Sequence, residues 1–292
     1  MKLNLDSYQY LLSKYLRIRF GIGILLIFVF VSQCSIPKEG KEVIKKQIIP
    51  INNGNLFVLT NDCHLKSNLL VLIHGSPGNS SDFSLYLEDE DYQKRYCIIV
   101  PDRLGYGNSL QKEFVPSLTI QASAIVEMVI AFLLQEKKSF VSIELLGHSY
   151  GGPVALVSIL ELQKRGYKNG KLIMVSAPID PKYEELRFYN HLAKIPFIEI
   201  ILPQSFVRSN LEMFSLKKDL EQLGNELKGN GFPVVSIHGD EDGIVPVENV
   251  YYLENIFFQG NHKIYPLIGG SHFIPWTRYS EIKSILLQEE TK

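Results

Sequence analysis

Residues 141–162 read VSIELLGHSYGGPVALVSILEL. An apolar run over 143–146 leads into Gly147-His148-Ser149-Tyr150-Gly151, and a helix-like segment, 153–162, follows. This is G-x-S-x-G between a strand and a helix, the setting of a nucleophile elbow. The turn is sharp and the serine backbone strained, so larger flanking side chains would clash. A serine at the start of a helix also presents its hydroxyl to positive potential.

Serine is a poor nucleophile at neutral pH; it needs a base, and the base needs an orienting acid. Among seven histidines, His272 stands out because Gly269-Gly270-Ser271-His272-Phe273 follows the last strand-like run. His74 ends an earlier strand but leads into Gly-Ser-Pro-Gly, and His148 points away from the serine by turn geometry. His64, His191 and His262 read as surface residues. The acid lies in 237–246 (IHGDEDGIVP), where Asp240, Glu241 and Asp242 compete. Asp242, just before Ile-Val-Pro, best fits the loop apex. A developing oxyanion needs preorganised N–H donors. The amide of Tyr150 is one candidate. The amide of Ser76, in His74-Gly75-Ser76-Pro77-Gly78, is the other, although HGSPG also reads as a plain tight turn.

Outward from the elbow, apolar runs at 69–73, 97–100, 141–146, 172–175, 234–237 and 264–267 alternate with helical segments. Strands apolar on both faces imply an α/β fold with a mostly parallel sheet covered on both sides. Runs at 47–51 and 55–59 flank Asn52-Asn53-Gly54, a hairpin signal, and would form one antiparallel edge. Segment 118–137 is apolar almost all round, but Glu127 in its interior marks a core helix. Residues 180–232 form an insertion with Tyr183, Phe188, Tyr189, Phe197, Phe206 and Phe214, then a charged helix-like run, 217–228. It is expected to sit over the carboxyl ends of the strands as a short helical lid.

The chain has 292 residues with 30 Lys+Arg against 31 Asp+Glu, a formal net charge of −1. That balance offers no field for a nucleic-acid partner. Residues 1–35 differ from the rest: Lys14, Arg17 and Arg19 precede an apolar run of 12 residues, 20–31. That length suits a signal-peptide core rather than a membrane span. Val31-Ser32-Gln33-Cys34 resembles a bacterial lipobox, so Cys34 is a candidate lipid anchor. The alternative is an uncleaved N-terminal signal anchor. Both place the protein at a membrane, the first as an exported lipoprotein. The cysteines at 34, 63 and 97 are too few for a disulfide scaffold and lack zinc-site spacing. In an exported chain Cys63 and Cys97 would meet an oxidising compartment and could bridge; Cys97 opens a buried strand, however, and is expected to pack as a small apolar residue.

Taken together, HGSPG, Pro101-Asp102-Arg103-Leu104-Gly105-Tyr106-Gly107-Asn108-Ser109, GHSYG, HGDEDGIVP and GGSH occur in the order of the α/β-hydrolase family. The chain resembles its serine-nucleophile branch over residues 47–290. The resemblance implies one hydrolase domain over 36–292, with Ser149, His272 and Asp242 as a triad and no metal or organic cofactor. It gives Asp102 and Arg103 a bracing role. Ser76 and Tyr150 stand where the proline-iminopeptidase branch usually has glycine and tryptophan. The expected activity is hydrolysis of a carboxylic ester through an acyl-enzyme. The apolar lid suggests a small-molecule substrate with an apolar acyl or aryl group. Thioester, amide and carbon–carbon bond hydrolysis would use the same machinery, and a non-catalytic binding protein is the reading from another class.

Overall fold

Alternation along strand β3 (Asn68–Ile73) sets the layout. Successive side chains on a strand point to opposite faces. Leu69, Val71 and Ile73 accordingly join one apolar core, and Leu70 and Leu72 the other. The same split holds on β4 (Tyr96–Pro101) and β6 (Gly170–Val175). The computed structural model describes residues 44–109, 114–186, 190–191, 195, 201–227, 231–255 and 262–288. The proposed leader with Cys34, and the lid residues Phe188, Tyr189 and Phe197, lie outside the described residues.

Eight strands form one sheet in the order β1-β2-β4-β3-β5-β6-β7-β8. Strands β1 (Lys45–Ile51) and β2 (Gly54–Thr60) make the expected antiparallel edge hairpin, and β2 runs antiparallel to β4. All later pairings, through β5 (Ser142–His148), β7 (Val234–Gly239) and β8 (His262–Leu267), are parallel. Strand order reverses around β3, which has β4 on one side and β5 on the other. In open α/β sheets the crevice at that reversal, beyond the carboxyl ends of the strands, is where ligands bind.

Helix α1 (Leu118–Glu136) is long and apolar enough to cross a membrane by composition alone. Here it buries Ile125, Val126, Met128, Val129 and Phe132 in the core it shares with α2 (Gly151–Lys164). Each fully buried aliphatic side chain contributes about 1.5–3 kcal/mol. Its interior Glu127 accepts hydrogen bonds from the amide and side chain of Asn52 at 2.7 and 2.8 Å, pinning the edge hairpin. The opposite face is covered by Phe83, Tyr86, Tyr92 and α4 (Tyr279–Gln288), whose Ile282 and Leu286 are buried.

The insertion supplies helix α3 (Gln204–Leu227), which starts well before the charged run read from sequence. Leu216, Leu220, Leu223 and Leu227 seat its second half in the α1–α2 core. The Asp219 carboxylate accepts the Leu118 amide at 3.0 Å, so α3 also caps α1.

Cys63 and Cys97 are joined by a disulfide, which corrects the reading of Cys97 as a packed thiol. The bridge follows from pairing remote in sequence: Thr60 lies opposite Ile99 in the antiparallel β2–β4 register. Running on from Thr60 and back from Ile99 brings the two cysteines together. Closing a loop with sequence separation 34 contributes about 3–4 kcal/mol in the chain-entropy account. The Cys63→Ala/Cys97→Ala variant is therefore expected to melt about 10 °C lower by calorimetry. Activity per folded molecule should be unchanged, because Cys97 sits at the amino end of β4. An unchanged Tm would mean that the bridge does not constrain the unfolded chain.

Candidate active site

The loops after β3, β5, β7 and β8 meet at the carboxyl edge of the sheet. At the end of β5, Ser149 has φ of 51°, sterically costly for a side-chain residue, at about 1–3 kcal/mol. Close packing around the turn enforces it. A Cβ at Gly147 would come within 2.1 Å of the Gly151 carbonyl oxygen, and one at Gly75 within 2.9 Å of the Ser149 Cβ. The HGSPG loop therefore runs directly against Ser149. The Ser149 amide is anchored to the Val175 carbonyl at 3.0 Å, and α2 begins two residues on.

His272 Nε2 lies 3.0 Å from Ser149 Oγ, and His272 Nδ1 lies 2.8 Å from Asp242 Oδ2. Three side chains read from separate motifs thus form one hydrogen-bonded chain. A carboxylate only accepts, so Nδ1 carries the proton and Nε2 offers its lone pair to the serine hydroxyl. The Asp242 side chain is fully buried, and both of its oxygens accept hydrogen bonds. Oδ1 accepts the amides of Ile244 and Val245, both at 2.9 Å. Oδ2 accepts from His272; His238 Nε2, whose N–H donates to the Val245 carbonyl at 3.0 Å, also lies 3.3 Å from Oδ2. Burial alone would raise the carboxyl pKa, but the hydrogen bonds from His238 and His272 outweigh it and hold Asp242 well below the usual carboxylate range.

The rival acids have other work. Asp240 is exposed and accepts the Gly269 amide at 2.7 Å, bracing the loop that carries His272. Glu241 is exposed, and its amide donates to the Gly270 carbonyl. His148 turns its ring toward His272, where its Nε2 lies 3.1 Å from the backbone carbonyl. Burial, then the neighbouring His272 ring, push its pKa down to about 3, so it stays neutral. His64 and His191 are exposed, as expected. His262 departs from the surface reading: it opens β8, half-buried, with Nε2 2.9 Å from the Ser236 hydroxyl.

Neither the Ser76 nor the Tyr150 amide has a protein acceptor among the described residues, which leaves both donors available to a ligand oxygen. Behind them lies a polar cluster. Arg103, completely buried, donates from Nε to the His74 carbonyl and from a terminal nitrogen to the Gly75 carbonyl, each at 3.0 Å. Its guanidinium lies 4.5 Å from the Tyr106 ring centroid and 4.9 Å from that of Tyr150. Glu212 of α3 pairs with it at 2.7 Å, both side chains fully buried. Burial opposes the charge on Arg103, but Glu212 more than compensates and raises its pKa. Removing either partner of such a pair costs about 3–5 kcal/mol. Glu212 also accepts from the Tyr106 hydroxyl at 2.7 Å and from the Ser76 hydroxyl.

His74 completes the cluster. Its Nε2 accepts the Arg103 amide at 2.8 Å, which leaves the proton on Nδ1 to donate to the Gly75 carbonyl at 2.8 Å. Asp102 braces neighbouring turns, accepting the Ser80 amide at 2.6 Å and the Asn108 amide at 2.7 Å. Glu212 and His238 are not visible as site residues in the sequence. A polar side chain on a helix reads as solvated, and His238 lies inside a strand.

The sequence profile of the alpha/beta hydrolase family matches residues 70–227. A proline iminopeptidase of Lactobacillus delbrueckii subsp. lactis is 29% identical over 102 residues, 34% of this chain and 33% of the relative. The chain thus spans about one third of the length of that relative. Among solved structures, a serine hydrolase of Cycloclasticus zankles superposes with a TM-score of 0.61 at 19% identity, covering 83% of this chain and 96% of the other. An esterase of Exiguobacterium antarcticum gives 0.63 at 19% identity, covering 85% and 100%.

Proposed function

Because the chain belongs to the alpha/beta hydrolase family, we propose that it is a serine hydrolase cleaving carboxylic esters through an acyl-enzyme. The observation that carries this reading is the hydrogen-bonded chain from Ser149 through His272 to Asp242. Ser149 Oγ attacks the ester carbonyl as its proton passes to His272 Nε2. The amides of Ser76 and Tyr150 receive the oxyanion, and Asp242 stabilises the imidazolium. His272 then protonates the departing alcohol. A water deprotonated by His272 attacks the acyl group, and Ser149 leaves with the returned proton.

A second reading, amide hydrolysis at a free amino end, is favoured by the sequence similarity to proline iminopeptidases. Recognition of an ammonium in a dry site calls for a carboxylate with charge to spare. Glu212, the buried carboxylate beside Ser76, is already matched by Arg103 and two hydroxyls. That balance favours the ester. With p-nitrophenyl esters, acyl thioesters and prolyl p-nitroanilide as substrates, kcat/KM is expected to be highest for the esters, by at least about tenfold. Hexanoyl should be preferred over acetyl if the acyl site is apolar. A preference for the anilide would make the protein a peptidase, and equal rates from acetyl to octanoyl would remove the apolar acyl site.

We also propose that the domain is held at a membrane, as an exported lipoprotein through an acyl chain on Cys34 or, alternatively, through residues 1–35 as a signal anchor. The Cys63–Cys97 bridge supports an oxidising compartment. Cells fed alkyne-palmitate are expected to label the wild-type chain and not Cys34→Ser. Equal labelling of both would remove Cys34 as the anchor.

A further inference from the structure

A planar trans peptide points its C=O and N–H in opposite directions. The Gly75 carbonyl is drawn to one side by two donors, Arg103 at 3.0 Å and His74 Nδ1 at 2.8 Å. The Ser76 N–H of the same peptide must then point the other way, out of the Arg103 cluster, and the preceding Gly75 lies against Ser149. Arg103 stays in place because Glu212 pairs with it, and Glu212 also takes the Ser76 hydroxyl. Glu212 comes from α3, 136 positions beyond Ser76. The Tyr150 ring, on the residue that supplies the other amide, lies over the same guanidinium.

We propose that Glu212 is a positioning residue of the oxyanion site. Acting through Arg103, it fixes the Gly75–Ser76 peptide with its N–H toward the reacting carbonyl, so that donor is in place only when α3 is seated. This rests on Ser149 being the nucleophile, and the experiment separates the two claims. Active sites are first counted by complete labelling with a fluorophosphonate, and turnover is expressed per labelled site. Glu212→Gln is expected to lower kcat about 100-fold, the scale of losing one oxyanion donor, with KM within about threefold. The affinity for an alkyl boronic acid, which forms a tetrahedral serine adduct, should fall by the same factor.

A second variant guards against misfolding. Arg103→Met/Glu212→Leu replaces the buried pair with apolar side chains, an exchange that cores commonly tolerate. It should fold, and it should show the same joint loss of kcat and boronate affinity, since the Gly75 carbonyl has lost its charged donor. A purely structural pair would give wild-type turnover per site in this double variant, and kcat within threefold of wild type in either variant overturns the proposal. Wild-type protein that the fluorophosphonate fails to label would instead overturn the serine assignment.

Discussion

Ser149→Ala is expected to lower kcat for ester hydrolysis by about six orders of magnitude, to the level left by binding and the oxyanion donors. The size follows from the geometry: the hydroxyl removed lies 3.0 Å from His272 Nε2 at the carboxyl edge of the sheet. Ser76 Oγ, in the neighbouring loop, does not take its place, because it is committed to Glu212 and Arg103. The fold should persist, since Gly147 and Gly75 enforce the elbow backbone whichever small side chain it carries. Stopped assays at high enzyme concentration, with circular dichroism as the folding control, measure this. A loss below about a hundredfold would mean that another group attacks the substrate.

Asp242→Asn is expected to cost about four orders of magnitude in kcat, through the tautomer of His272. One side of the carboxylate faces the amides of Ile244 and Val245, and the other faces His272 Nδ1 and His238 Nε2. An asparagine satisfies the two amides only with its oxygen, so its NH2 must face the imidazoles. His272 Nδ1 then has to accept, the proton moves to Nε2, and the base facing Ser149 is gone. Asp240→Asn should stay within a few-fold of wild type, because that side chain holds only the Gly269 amide.

The pH dependence of stability has a definite sign. A folded-state pKa lowered by hydrogen bonds contributes stability above the unfolded value, near 3.9, that is lost as pH falls through the folded value. Asp242→Asn should therefore be less stable than wild type at pH 7, with the gap closing on acidification below pH 4. A gap independent of pH would show that the carboxylate is not held below its usual range.

The fold and the sharp turn at Ser149 were legible because their signals are local. An apolar strand, a glycine-flanked serine and a helix stand consecutively in the chain, and β3, β4, β5, β7 and β8 each lead into a segment rich in glycine or aspartate. The choice of Asp242 over Asp240 was harder, since both belong to one turn. It rests on which carboxylate meets the amides of Ile244 and Val245. The Cys63–Cys97 bridge was the less favoured of two readings because it depends on the β2–β4 register, a pairing that no spacing within the chain records. The start of α3 escaped because its buried face includes Ser209, Asn210 and Glu212, which blur the apolar period. The Arg103–Glu212 pair joins residues 109 positions apart; the resemblance gives Arg103 a bracing role, but Glu212 alone reads as a solvated charge on a helix.

The most direct measurement for the central claim is the site of covalent modification by a fluorophosphonate, read by peptide mass spectrometry. The expected result is a single adduct on Ser149, formed far more slowly in His272→Ala. An adduct on a different residue, or labelling as fast without the imidazole as with it, would contradict the account.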